Sequence, residues 1–273
     1  MNTSSIRKLV LLCLAALILS CARPPDLPEL DESAAAWVGE QIFRNECNAD
    51  PDCLTSWNAG EDFPSLGIGH FIWFRAGQEE PFQESFPRLL EYYASQGVET
   101  PVWIRALPDD SSPWQAREEF LAEQDTPRMR ELREFFLDTR DVQARFIIRR
   151  LHEGVPAIIA ASEQPDRVEA LFYRLAEEHP RHGMYALIDY VNFKGEGINP
   201  AERYQGEGWG LLQVLEQMLD MSEDEPLMQR FADAAWMVLE RRVENAPPER
   251  GEGRWLQGWY NRTRTYIPDP GLS

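Results

Sequence analysis

The chain has few basic residues, four histidines, four cysteines and no long apolar run, and each shortage removes a class of function. Lysine and arginine number 27 against 46 acids in 273 residues, for a formal charge of −19. Binding to a phosphate backbone rests on cations that neutralise phosphates, so a nucleic-acid partner is not expected. The surplus of acids reads instead as a solvated surface that keeps the protein soluble. The longest apolar stretch, residues 9–19, is well short of the roughly 20 residues that cross a bilayer, so no permanent transmembrane helix is expected. There is no internal repeat, no glycine-rich phosphate loop, no Ser-His-Asp arrangement and no cluster with metal-ligand spacing. Neither a cofactor nor a metal is therefore expected.

What is present begins with Arg7 and Lys8, without an acid before them, then the apolar run, then Ser20 and Cys21. This pattern predicts a secretory leader over residues 1–20. Ile18-Leu19-Ser20-Cys21 resembles the bacterial lipobox, which implies that Cys21 is lipidated and becomes the new N-terminus. An ordinary cleaved signal with a bystander cysteine is the alternative. Ala22 stands where an aspartate would resemble an inner-membrane retention signal, so the expected address is the outer membrane, facing the periplasm. Loss of Arg7 and Lys8 would leave the remainder two units more negative. After Cys21, residues 22–32 hold three prolines and read as a semi-rigid tether, reaching about 34 Å at about 3.1 Å per residue. A domain is expected over 33–273, with one generous core or two small lobes sharing a cleft. Cys13 departs with the leader, which leaves Cys47 and Cys53, six residues apart. In an oxidising compartment they predict a local disulfide; a zinc pair is the alternative, with no CxxC or histidine cluster to support it.

Apolar periodicity predicts helices over 33–46, 83–96, 113–123, 127–137, 139–160, 166–178, 183–194, 209–221, 226–245 and 254–264. Ser112-Pro113, Thr126-Pro127 and Asn199-Pro200 each offer a capping side chain before a proline that suits the first helical turn. Residues 57–74, WNAGEDFPSLGIGHFIWF, break the helical pattern and predict a small hairpin or sheet. The result is an α+β domain, mostly helical, with a small β-element after the first helix and a natural cleft at the seam. Leu211, Leu212, Leu215 and Met218 form a stripe that belongs in the core.

Glu46 is delivered at the C-terminal end of the first predicted helix. The partial negative charge of a helix C-terminus disfavours a carboxylate there, so its pKa is expected to rise, as a general acid needs. Glu61 and Asp62 offer a second acid at the start of the β-segment. Two acids flanking one cleft are the minimum equipment for breaking a glycosidic bond.

Glu46 followed by a turn and SLGIGH (residues 65–70) resembles the phage-type lysozymes, glycoside hydrolase family 24, where a catalytic Glu ends a helix and a strand with a GxGH motif follows. ALIDYVNFKGEGI (186–198) is similar to that family's buried helix of ALxxxxFNxG type, and GRWLQGWYNRTRTY to its closing GLxxRR helix. The three segments touch most of residues 33–266, although 80–165 carries no matching motif. The resemblance implies a lysozyme-like fold and cleavage of the peptidoglycan glycan strand. Glu46 would be the general acid, Glu61 or Asp62 the base or electrostatic stabiliser, and Ser65 the hydroxyl near an attacking water. One departure matters: six residues before Ser65, where the family has its catalytic Asp, stands Ala59. If neither Glu61 nor Asp62 reaches the site, Glu46 alone would act as a lytic transglycosylase does, with the sugar's own hydroxyl as nucleophile.

His70 either orients Glu46 through a hydrogen bond or is a structural group inside a strand. Trp57, Phe71, Trp73, Tyr204 and Trp209 are sugar platforms or core rings. Gly195-Glu196-Gly197 and Gly206-Glu207-Gly208 either let backbone and Glu196 approach a substrate closely or are helix C-caps. The expected partners are the peptidoglycan strand and, through the lipid, a membrane, with the protein a monomer. The rival reading is a non-catalytic lipoprotein that binds glycan or a partner protein in the same cleft. Replacing the lipobox cysteine, Cys21→Ser, is expected to release the protein from membranes. Unchanged fractionation, with no lipid mass on the N-terminal peptide of the parent chain, would refute the anchor.

Overall fold

A computed structural model describes residues 28, 30–79 and 84–269; the leader, Cys21 and most of the expected tether lie outside the described residues. Helix α1 (Glu32–Cys47) starts where Asp31, in extended backbone, accepts the amide of Ala34 at 2.8 Å. It buries Ala35, Val38, Ile42 and Phe43 and ends at Asn48 in the left-handed region. Gly39 lets α1 come close to its neighbour, since a Cβ there would lie 2.7 Å from the carbonyl oxygen of Arg140.

The β-segment is a three-stranded antiparallel sheet of short strands, β1 (Thr55–Ser56), β2 (Ser65–Leu66) and β3 (Phe71–Ile72). Ser65 pairs with both Ser56 and Ile72, so β2 is the centre. GIGH is not a strand but the turn between β2 and β3. The Ile68 amide donates to the side-chain Oε1 of Gln143 at 2.9 Å, and His70 adopts φ 47°, so the amides that would extend a ladder are turned elsewhere.

The remaining elements are α2 (Phe86–Ser95), α3 (Val102–Arg105), α4 (Arg117–Ala122), α5 (Pro127–Asp138), α6 (Arg140–Ala160), α7 (Pro165–Glu178) and α8 (Pro180–Lys194). A hairpin of β4 (Arg203–Tyr204) and β5 (Glu207–Gly208) follows, then α9 (Leu211–Leu219), α10 (Leu227–Asn245) and α11 (Leu256–Arg264). The mostly helical α+β class is as the sequence predicts. Thr126 caps α5 by accepting the Met129 amide. The other two Pro signals fail as helix starts for local reasons. The Ser112 amide is captured by the carbonyl of Phe74 at 2.7 Å, which ties 112–116 to the β-segment and delays α4 to Arg117. Asn199 closes a turn by accepting the Ala201 amide at 3.0 Å. Gly195, at φ 81°, does cap α8, whereas Gly206 sits in the β4–β5 hairpin turn.

The core gathers around α8, whose residues from Gly183 to Tyr190 are all buried. Its neighbours include α1, α6, α7 and α9. Leu211, Leu212, Leu215 and Met218 are buried as expected. Burying side chains such as Leu187 or Ile42 contributes about 1.5–3 kcal/mol each.

The last third of the chain is fastened by Glu252, a buried carboxylate. It accepts from Arg242 at 2.8 and 3.1 Å, Arg250 at 2.8 Å and the Tyr204 hydroxyl at 2.9 Å. Burial works to raise this carboxyl, but the three donors outweigh it and hold Glu252 at about 2. A carboxyl lowered on folding stabilises fully above its ordinary value of 4.5 and loses that contribution as pH falls towards 2. Glu252→Gln is therefore expected to cost about 3 kcal/mol at neutral pH, by leaving the largely buried Arg242 without its carboxylate partner, and to flatten the acid side of the stability profile. Denaturant titrations from pH 6 to pH 2 check this; equal slopes for the two proteins would refute it.

Candidate active site

Glu46 is the penultimate residue of α1, with its side chain 15% exposed. Its Oε1 accepts from Arg262 at 2.5 Å and from Asn192 at 3.1 Å, while its Oε2 lies 3.9 Å from His70 Nδ1. That last distance is too long for the direct hydrogen bond expected of His70. Two donors from distant elements, Arg262 of α11 and Asn192 of α8, thus share the carboxylate that the end of α1 delivers.

Arg262 is held in turn by Asp189, which is fully buried in the middle of α8. Its Nε and Nη2 donate to Asp189 at 2.8 and 2.9 Å. The Tyr266 hydroxyl and Asn45 Nδ2 also donate to Asp189, at 2.7 and 3.1 Å. The guanidinium packs 4.0 Å over the ring of Phe193. Burial works against the charge on Arg262, but Asp189 and then Glu46 raise it well above the ordinary arginine value. One cation thus bridges two carboxylates and joins α1, α8 and α11.

His70 stands between Glu46 and the disulfide of Cys47 and Cys53, which the sequence predicts. Its Nε2 is 3.5 Å from Cys53 Sγ and 4.0 Å from Cys47 Sγ. Among the described residues this trio is the group with metal-ligand spacing. The histidine missing from the zinc alternative is thus supplied by the fold, but a disulfide offers no thiolate, and the oxidised trio is no chelator.

Asn192 and His70 also line a cleft of about 460 Å³. Its walls are the β2–β3 turn, Ser85 and Arg88 at the start of α2, the Ile147–Gly154 face of α6, and Ile188 and Val191 of α8. Glu196 lines it too, packed over Gly154, where any Cβ would collide with its carboxylate.

The other expected residues are elsewhere. Glu61 accepts from Asn58 Nδ2 at 3.1 Å, and its carbonyl accepts from the Trp57 indole at 2.7 Å. Asp62 is exposed, with its carbonyl bound by Gln78. Neither is part of the cleft wall, nor is Ser65, which is buried in β2, nor Glu46 itself, which meets the cleft through His70 and Asn192. Trp57, Phe71 and Trp73 are core rings, and Trp73 donates to the Asp110 carbonyl at 2.6 Å. Trp209 is buried against Tyr204, with ring centres 4.6 Å apart, and the Tyr204 hydroxyl is committed to Glu252. Four of these rings pack inside the protein and Tyr204 is half-buried; the Trp57 and Trp73 indoles donate to backbone carbonyls and the Tyr204 hydroxyl to a carboxylate.

Arg262, Asn192 and Asp189 were not singled out from the sequence, although all lie within the two segments quoted for the resemblance. Asp189 carried a signal of its own: a single acid in the apolar run ALIDYV needs a buried counter-charge. No family model, characterised protein sequence or solved structure matches the chain.

Asp189→Asn keeps the shape of the hub and removes its charge. It is expected to cost about 3–5 kcal/mol, as for one partner of a buried pair. A urea midpoint shift checks this against exposed Asp220→Asn, expected within about 0.5 kcal/mol of the parent. Equal midpoints for the two variants would refute the hub.

Proposed function

We propose that this protein cleaves the glycan strand of peptidoglycan, with Glu46 as general acid, while held to a membrane by lipid on Cys21. The observation that carries the reading is the half-occupied carboxylate of Glu46. Arg262 and Asn192 both donate to Oε1, which leaves Oε2, on the His70 side, compatible with a transferable proton. The segments that resemble the phage-type lysozymes also converge on this one group: α1 contributes Glu46, the GIGH turn His70, α8 Asn192 and α11 Arg262. After proton donation, Arg262 is placed to stabilise the carboxylate that remains. An outer-membrane anchor facing the periplasm would put the cleft beside the wall.

Glu61 is held by Asn58 and Asp62 is exposed, and neither shares a partner with Glu46, so a single-acid route is favoured over hydrolysis by two carboxylates. Glu46 protonates the leaving sugar oxygen, a hydroxyl of the cleaved sugar attacks its own anomeric carbon, and Glu46 recovers that hydroxyl's proton. No water is consumed, and the new end is an anhydro-sugar. The contact with Arg262 gives Glu46 a structural partner of its own, and this supports the rival of a cleft that binds glycan without cutting it.

Incubation with purified peptidoglycan, followed by mass analysis of the released ends, tests the proposal. The parent protein is expected to release ends lighter by one water. Glu46→Gln should lower release by about 10²- to 10⁴-fold with binding retained, while Glu61→Gln and Asp62→Asn stay near parental. Binding without release over a wide pH range would overturn the enzyme reading.

A further inference from the structure

Two arginines face the cleft, and their surroundings differ. Arg88 is neutralised by Glu153 at 2.6 Å. Arg150, half-buried on α6, has no carboxylate within 4.0 Å and no hydrogen-bond acceptor among the described residues. Glu153 and Glu196 act on it only from a distance, and burial, then Arg88, pull its guanidinium below the ordinary arginine value. In a chain with 46 acids, a partly desolvated cation without a partner is an unfavourable arrangement for the free protein. Its planar fork suits a carboxylate, which it can bind through two parallel hydrogen bonds.

We propose that Arg150 is a carboxylate-binding subsite, which seats an acidic substituent of the sugar strand in the cleft lined by His70 and Asn192, the neighbours of Glu46. The inference rests on the proposed glycan reading for the polymer and adds its chemical class: a strand whose sugars bear carboxylates, in preference to a neutral one. A strongly acidic protein repels such a strand at long range, so an inward-facing cation within the cleft is what lets the acidic group dock. Two sources offer this chemistry, the ether-linked lactyl carboxylate of a bare strand and the carboxylates of peptides attached to it.

The test is calorimetric binding of the full chain in detergent to three tetrasaccharides: neutral chitotetraose, a lactyl-carboxylate strand, and the same strand bearing peptide. The parent protein is expected to bind an acidic strand at least about tenfold more tightly than chitotetraose, with the advantage shrinking in high salt. Arg150→Gln should erase the preference and leave chitotetraose affinity unchanged; Arg150→Lys should restore part of it. Because Arg150 has no ion pair or hydrogen bond to lose among the described residues, the Gln variant should be no less stable than the parent. A preference for the bare acidic strand assigns the contact to the lactyl group, and one confined to the third ligand assigns it to the peptide. Equal affinities for all three, no binding to any, or a Gln variant that weakens all three alike would overturn the subsite. Peptidoglycan cleavage without the preference removes the subsite alone. Preference without cleavage removes the enzyme reading alone.

Discussion

Burying Asp189 at the centre of α8 would destabilise the fold by several kcal/mol if its charge were left uncompensated. Arg262 compensates it, and because a guanidinium presents donors on two edges the same group reaches Glu46. Tyr266 and Asn45 fill the remaining acceptor sites on Asp189. The position of Glu46 is therefore set by the electrostatics of the core as much as by the geometry of α1. The orientation of α11 follows from the same pairing, since the helix must bring residue 262 to the middle of α8.

A second constraint acts on the other side of Glu46. The disulfide closes a short loop in which Asn48 and Ala49 both take left-handed backbone, at φ 50° and 58°, a conformation that L-residues with a Cβ seldom adopt. His70, also left-handed, packs against the sulfurs. The end of α1, the loop and the β2–β3 turn thus form one braced corner, where strain in three residues is held by a covalent bond and a ring contact.

Much of the architecture was legible because its causes are local. The boundaries of α1, α5, α6, α7 and α10 follow from caps and apolar spacing within a few residues of each end. The disulfide was legible from two cysteines and a short gap. The GIGH turn was read as a strand because its organising acceptor, Gln143, lies 75 positions away. The aromatic rings were ambiguous because composition says that a ring wants contact without saying whether protein or ligand supplies it. Glu61 resisted for a related reason: the residues around it determine whether it faces the cleft, and Asn58 and Trp57 bind its side chain and backbone instead. Glu196, singled out for its flanking glycines, lines the cleft, whereas Arg150 and Arg88, which also line it, fell in the stretch without recognisable motifs.

The contact of Arg262 with Glu46 joins positions 216 apart in sequence. Such a link carries a large loop-closure entropy and forms late in folding relative to the helical hairpins around it. A chain made from its N-terminus therefore has α1, the sheet and the cleft-lining helices available well before α11 exists. During that interval Asp189 lacks its counter-ion and Glu46 lacks its clamp. The order of synthesis thus acts as a timer: the clamp on residue 46 is assembled only when α11 docks.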